Sequence, residues 1–373
     1  MSSALTTART TLLAATFVLA TSCAPAGTGA PATPAPSDTA SAPATQPGQG
    51  WSVRTREHVD LWLHGYALLQ ADTARVPFFR RGYRDRLLTE RRNRGITTAL
   101  DVNRDRLAAR LSANPALVNG QFLALYFASL ADLQRVVDLT IQAQGDPRRV
   151  NDPQLARYVA LVNASFPAAA DRDWLRTFMQ SVTDEHRVFY REYWAAQQAS
   201  RAGALAAVNS LWDRHQPAFR RYLANTQQTR GELLLSLPLN GEGRTTEVGN
   251  DYFLVAVNFP ESAGAAPEAL YTFAHEVMLA TSTTAVTDNT TPAQQRSGTG
   301  ATYTSNAAVR GGRMLLDRIA PDLSSGYMRY YLASIGERAP SGDPAAAFES
   351  AFPLPAAILT AIKSQLDVVL GGI

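Results

Sequence analysis

His275 and Glu276 are the residues with the clearest chemical potential. They are adjacent in an otherwise apolar run, residues 267–280 (PEALYTFAHEVMLA). A charged or polar pair among Leu270, Phe273, Ala274, Val277 and Met278 is costly to bury unless both groups are satisfied. In the pattern H-E-x-x-H on a helix, two imidazoles one turn apart hold a zinc ion. The glutamate between them takes a proton from metal-bound water. Here the fifth position is Leu279, so the pattern is His275-Glu276-Val277-Met278-Leu279 and lacks its second imidazole. No histidine follows His275, and any replacement would have to come from His58, His64, His186 or His215.

The elements that must carry this pair follow from periodicity. Residues 51–225 have helical texture. Leu175, Phe178, Met179, Val182, His186, Phe189, Tyr190 and Tyr193 make one wide apolar stripe. A second stripe, from Leu205 to Tyr222, is expected to break near Pro217. Shorter helices are predicted at 54–70, 102–112, 129–143 and 152–165, with Asn114-Pro115, Asp146-Pro147 and Asp152-Pro153 as punctuation or starts. Near residue 231 the texture changes. Residues 232–239 (ELLLSLPL) and 251–259 (DYFLVAVNF) read as strands joined by a Gly-containing loop, with Pro238 suited to an edge. A helix is expected over 267–280, a polar loop through Pro292, and helices around 305–319 and 355–370. The fold class is α+β and predominantly helical: one body over 51–373, with a helical part at 51–230 and the strands and His-Glu helix at 231–373.

With its aromatic stretch EHRVFYREYW, two strands and then YTFAHEV, the chain over roughly 183–332 resembles the zincin-like, gluzincin-type metallopeptidases, as found in bacterial lipoproteins of unknown function. The resemblance implies that His275 is the first zinc ligand and Glu276 the general base. Asp288 (TAVTDNTT) would stand at the downstream acidic ligand position, and Tyr303 would stabilise an oxyanion. Leu279 cannot ligate, and a catalytic zinc has three protein ligands plus water. The expectation is therefore a zincin-derived domain that lacks efficient zinc-dependent hydrolysis and serves as a binding or scaffold module for a peptide or protein. Two alternatives stand beside it. One is an active metallopeptidase that binds zinc through a non-standard ligand set. The other is an unrelated helical envelope protein in which His275-Glu276 is a polar pair inside a helix.

The N-terminus sets the compartment. Arg9 precedes the apolar run 10–20 (TTLLAATFVLA), followed by Thr21, Ser22 and Cys23. That is a secretory signal, residues 1–22, too short to span a bilayer as a helix. Its Ala-Thr-Ser-Cys ending resembles a bacterial lipoprotein signal, which implies lipidation of Cys23 and a membrane as partner. Cleavage after Ala24-Pro25-Ala26, giving a soluble periplasmic or secreted protein, is the alternative. Residues 24–50 are Ala, Pro, Gly, Ser or Thr at 24 of 27 positions, a composition that forms no core and serves as a tether.

Composition closes off other classes. Cys23 is the only cysteine, so the body has no disulfide and no thiolate metal site. A formal charge of +3, from 35 basic and 32 acidic residues, gives no reason to expect a nucleic-acid partner. Lys363 is the only lysine, an arginine bias that reads as genome composition. Residues 75–94 hold eight arginines, which suit either anionic headgroups or, as the blander reading, a solvated helix face with Phe78, Phe79, Tyr83 and Leu87 inward. His186 and His215 read as core or boundary histidines, and Asp60 with His64 as a surface i, i+4 pair.

Overall fold

The computed structural model describes residues 50–70, 76–249 and 251–371; Cys23, the leader and residues 24–49 lie outside the described residues. The body begins on strand β1 (Trp51–Arg54). Eight helices follow: α1 (Glu57–Leu69), α2 (Tyr83–Asn93), α3 (Ala99–Ala113), α4 (Leu130–Gln142), α5 (Pro153–Ser165), α6 (Ala169–Glu185), α7 (Arg191–Ser200) and α8 (Ala202–Asn225). Strands β2 (Arg230–Ser236), β3 (Arg244–Glu247) and β4 (Tyr252–Asn258) come next. The chain ends in α9 (Pro267–Asp288), α10 (Pro292–Arg296), α11 (Thr299–Ile319), α12 (Pro321–Ser334), α13 (Ala345–Ala351) and α14 (Ala356–Gly371). The fold is α+β and predominantly helical, as the periodicity predicts. No single helix among the described residues is long and apolar enough to cross a membrane.

The sheet has the order β1-β2-β4-β3. β1 runs parallel to β2, pairing Trp51 with Gly231 and Arg54 with Leu234, and β2 runs parallel to β4. β3 is antiparallel to β4 at the far edge. The sequence expected two strands, and β1 and β3 are the additions. β2 is a central strand, and its ladder stops at Ser236, before Pro238. The residues around that proline pair instead with the segment before α2: Phe79 bridges Leu239, and the Arg80 amide donates to the Pro238 carbonyl at 2.8 Å. Proline thus sits where a missing N–H costs no ladder bond.

Several helix boundaries follow local chemistry. Asp152 accepts from the amides of Gln154 and Leu155 with Pro153 in the first turn, a strong start signal. Thr98 and Asp101 form a reciprocal capping box for α3. Pro217 does not break α8, which is continuous from Ala202 to Asn225. Both Asp213, whose carbonyl loses its helical partner, and Pro217 are exposed, so water can satisfy the freed group. α9 also continues to Asp288, through the segment expected to be a polar loop.

Between α6 and α7 lies a π-helical turn, His186–Tyr190. Leu175, Phe178, Met179, Val182, Phe189, Tyr190 and Tyr193 are buried as the stripe predicts. Glu185 is buried with them, while His186 reaches the rim and meets Glu57 at 2.9 Å. The Glu185 carboxylate accepts from both sides. Arg91 Nη1 lies 2.6 and 2.7 Å from its two oxygens, His64 Nε2 lies 3.0 Å from Oε1, and Thr98 Oγ1 donates to Oε2. Arg91 also donates to Asp101 at 2.7 Å. This network joins α1, α2, α3 and α6 inside an aromatic core. Arg91 is therefore not on a solvated face: it is 2% exposed, with Tyr83 and Leu87 inward beside it. Burial lowers the pKa of His64, so the neutral ring donates from Nε2 to Glu185 and accepts at Nδ1 from the Tyr83 hydroxyl, 3.0 Å away.

Removing one partner of a buried pair strands the other charge. Glu185→Ala is expected to destabilise the body by about 3–5 kcal/mol in urea unfolding. Glu57→Ala, at the rim pair with His186, should cost under about 1 kcal/mol. Equal losses in the two variants would show that the buried network is not what joins these helices.

Candidate functional site

α9 packs one side on β4 and β3 and the other on α11, so its middle is enclosed from both directions. The close approach to α11 depends on Gly311 and Gly312. A Cβ on Gly312 would sit 2.3 Å from the Tyr327 hydroxyl, and one on Gly311 would sit 2.8 Å from Ser282 Oγ. His275 and Glu276 occupy this enclosed middle, each 3% exposed.

All but one of the polar side-chain atoms of the pair have a partner. His275 Nδ1 lies 3.0 Å from Glu276 Oε1. That oxygen also accepts from the Gly243 amide, and Oε2 accepts from the Thr245 amide, both at 3.1 Å. Three of the carboxylate's roughly four acceptor positions are filled. Gly243 allows the approach, because a Cβ there would lie 2.1 Å from the Ala256 carbonyl and 3.2 Å from Glu276 Cγ. Tyr331 of α12 stacks on the imidazole, with ring centres 5.6 Å apart, and donates its hydroxyl to the Gly241 carbonyl at 2.9 Å. The segment from Gly241 to Thr245, which includes the start of edge strand β3, is thereby fastened to α9 and α12.

Burial alone would lower the His275 pKa. The Glu276 hydrogen bond and charge, with the charge of Glu242, outweigh it and hold the pKa above its ordinary value. The ring therefore favours its protonated form beside a carboxylate. Its Nε2 is buried and makes no hydrogen bond within the described residues.

The residues carried over for a metal centre do not converge. Asp288 is the last residue of the same helix, thirteen positions beyond His275 and so about 20 Å along its axis. It cannot share an ion with His275. Leu279 stands one turn from His275, half-buried and without a donor atom. Tyr303 is on α11, which runs antiparallel to α9, since Met278 faces Gly311 and Ser282 Oγ donates to the Ala307 carbonyl. It lies half-buried roughly 13 Å along α11 from Gly312, too far to touch the pair. The tyrosine beside His275 is Tyr331. Among the described residues, no three His, Cys, Asp or Glu side chains gather as a metal site.

The other histidines are held elsewhere. His58 bonds the Phe127 carbonyl at 2.9 Å, and His215 lies 3.4 Å from Asp322. Asp60 and His64 are not a surface pair: they are 1% and 0% exposed. Asp60 accepts from Trp194 Nε1 at 3.1 Å and from the Leu237 amide at 3.2 Å, and burial pushes its carboxyl up to about 7. A local i, i+4 pattern could not reveal this, because its partners are supplied from distant elements. The clamp on β3 was fainter still, its only sequence signal being Gly241 and Gly243 close together before a strand. Two surface hollows, of about 360 and 400 Å³, open beside α8, and neither is lined by His275 or Glu276. No protein-family model, curated protein or solved structure matches the chain.

Glu276→Gln turns one acceptor into an N–H₂ group facing a donor. The expected cost is about 2 kcal/mol in chemical denaturation. The raised His275 pKa adds stability that is fully present below its unfolded value of about 6.5 and is lost as pH rises through the folded value. In Glu276→Gln the His275 ring signal should titrate at lower pH by NMR, and that component of the stability profile should vanish. An unchanged titration would separate the two side chains.

Proposed function

We propose that this chain is an envelope lipoprotein, held to a membrane by acyl chains on Cys23, whose body is a zincin-derived binding module without efficient hydrolysis. The observation that carries the reading is the Glu276 carboxylate, whose two oxygens are both taken by backbone amides of the β3 segment. A glutamate serving as general base needs its carboxylate free for a metal-bound water, whereas three of the roughly four acceptor positions of Glu276 are committed. In this body the same side chain fixes an edge strand to a helix.

Two further features support the reading. Short strands precede the His-Glu helix, in the order the zincin resemblance implies. β1 begins immediately after the Ala/Pro-rich stretch, so a lipid at Cys23 and a tether of that composition would deliver the body with its first strand at the root. Lipidation supplies the membrane partner, and a peptide or protein is the ligand class the domain's origin implies.

Metal analysis of chain purified without chelator is expected to find far less than one equivalent of zinc. Added zinc should not raise the Tm, where a ligand at 100 times its Kd would contribute about 2.7 kcal/mol. Stoichiometric zinc lost on His275→Ala would instead make the protein a metal enzyme with an unusual ligand set. The anchor is tested separately. The parent should incorporate labelled palmitate and sediment with membranes, and Cys23→Ser should remain as unlipidated precursor. Equal labelling of the two would remove the lipoprotein half of the proposal.

A further inference from the structure

A second polar centre lies at the carboxyl ends of the parallel strands, where open sheets commonly receive ligands. β2 ends at Ser236 and β4 at Asn258, and the Phe259 amide donates to the Ser236 carbonyl at 2.9 Å. Two guanidinium groups converge just beyond. Arg80 donates to the Leu237 carbonyl through Nε at 3.1 Å and to the Phe259 carbonyl through Nη2. Arg201 donates to that same Phe259 carbonyl at 2.7 Å and to the Pro260 carbonyl at 3.2 Å. Their side chains are 12% and 9% exposed, and each is anchored by backbone carbonyls at a strand end.

The negative charge around them is weak. Both arginines share one carboxylate: Glu261 Oε1 lies 3.1 Å from Arg80 Nη1 and 3.7 Å from Arg201 Nη2. Glu261 is on a surface loop with 59% of its side chain exposed, so the pairing is worth little. The other carboxylates nearby are compromised. Burial pushes Asp60 up to about 7 and raises Glu268, whose carboxylate accepts from Asn258 Nδ2 at 3.3 Å. Arg86 adds a third positive charge within electrostatic reach of Arg201. Two fixed forks held side by side, with one loosely bound carboxylate between them, match the recognition of an oxyanion.

We propose that Arg80 and Arg201 form a seat for the carboxylate or phosphate group of a small anionic ligand, with Glu261 as a displaceable resident occupant. The seat requires nothing of the His275–Glu276 pair and stands apart from the zincin reading. A ligand oxyanion would replace the Glu261 oxygen and take the Nη1 group of Arg80 and the Nη2 group of Arg201 together. Arg86 would add long-range attraction.

Calorimetric titration of the full chain with inorganic phosphate and with acetate, at ionic strength matched by chloride, tests the proposal. The parent should bind at least one of the two anions above the chloride baseline. Tighter phosphate identifies a phosphate ligand, and tighter acetate a carboxylate ligand. Glu261→Gln, at an exposed position, should bind two- to five-fold tighter, the gain from removing an exposed competing ion pair. Arg80→Gln should bind about ten-fold or more weakly. Arg94→Gln, an exposed arginine paired with Glu90 and Glu192, should bind as the parent does. The proposal is overturned if neither anion binds above chloride, if Glu261→Gln brings no gain, or if Arg94→Gln weakens binding as much as Arg80→Gln. The Glu261 variant decides the matter even if arginine substitution unfolds the body.

Discussion

The parallel pairing of β1 with β2 constrains everything else. Trp51–Arg54 lies against Gly231–Leu234, and the intervening chain, with eight α-helices among its described residues, is one crossover between neighbouring strands. The pairing is reinforced on one face by Trp51, which meets Phe273 of α9 at 5.2 Å and Trp212 of α8 at 6.3 Å, ring centre to ring centre. The helical part therefore cannot be a separate domain in front of a sheet. Its first residues are a strand of that sheet. The polar centres then fall at the seams: one at the strand ends, one between α9 and β3, one where α1, α2, α3 and α6 converge.

Two of these seams are built on a buried carboxylate with several partners. Glu185 gathers an arginine, a threonine and a neutral histidine; Glu276 gathers two amides and an imidazole. A buried carboxylate treated this way contributes more to registry than to net stability, because desolvation offsets much of the attraction. A His-Glu dipeptide in an apolar helix is thus a weak sign of chemistry by itself. The same two side chains that could serve a metal also satisfy one another and an edge strand.

Much of the fold was legible where the signal was local. The α6–α7 stripe, the Asp-Pro starts and the apolar strands β2 and β4 all follow from spacing and side-chain type. What was missed depends on distant residues. β1 is four residues long (WSVR), too short for a period, and becomes a strand only because β2 waits for it. β3 (RTTE) has no apolar alternation and is held by its pairing with β4 and by the Thr245 amide bonded to Glu276. Pro217 looked like a break because sequence cannot say which side of a helix faces water. Asp288 looked like a candidate ligand because nothing in TAVTD announces that α9 runs on for two further turns.

The placement of β1 also bears on how the chain folds. Its partner follows about 175 residues later, so at ~5–20 residues per second the first strand waits about 10–35 s after its own synthesis before β2 exists. No shorter N-terminal piece can close the sheet, and contacts this far apart make assembly slow. Until β2 has been made, the first strand is unpaired. Its four residues, and the arginine at its end, offer little edge for another chain to recruit while it waits.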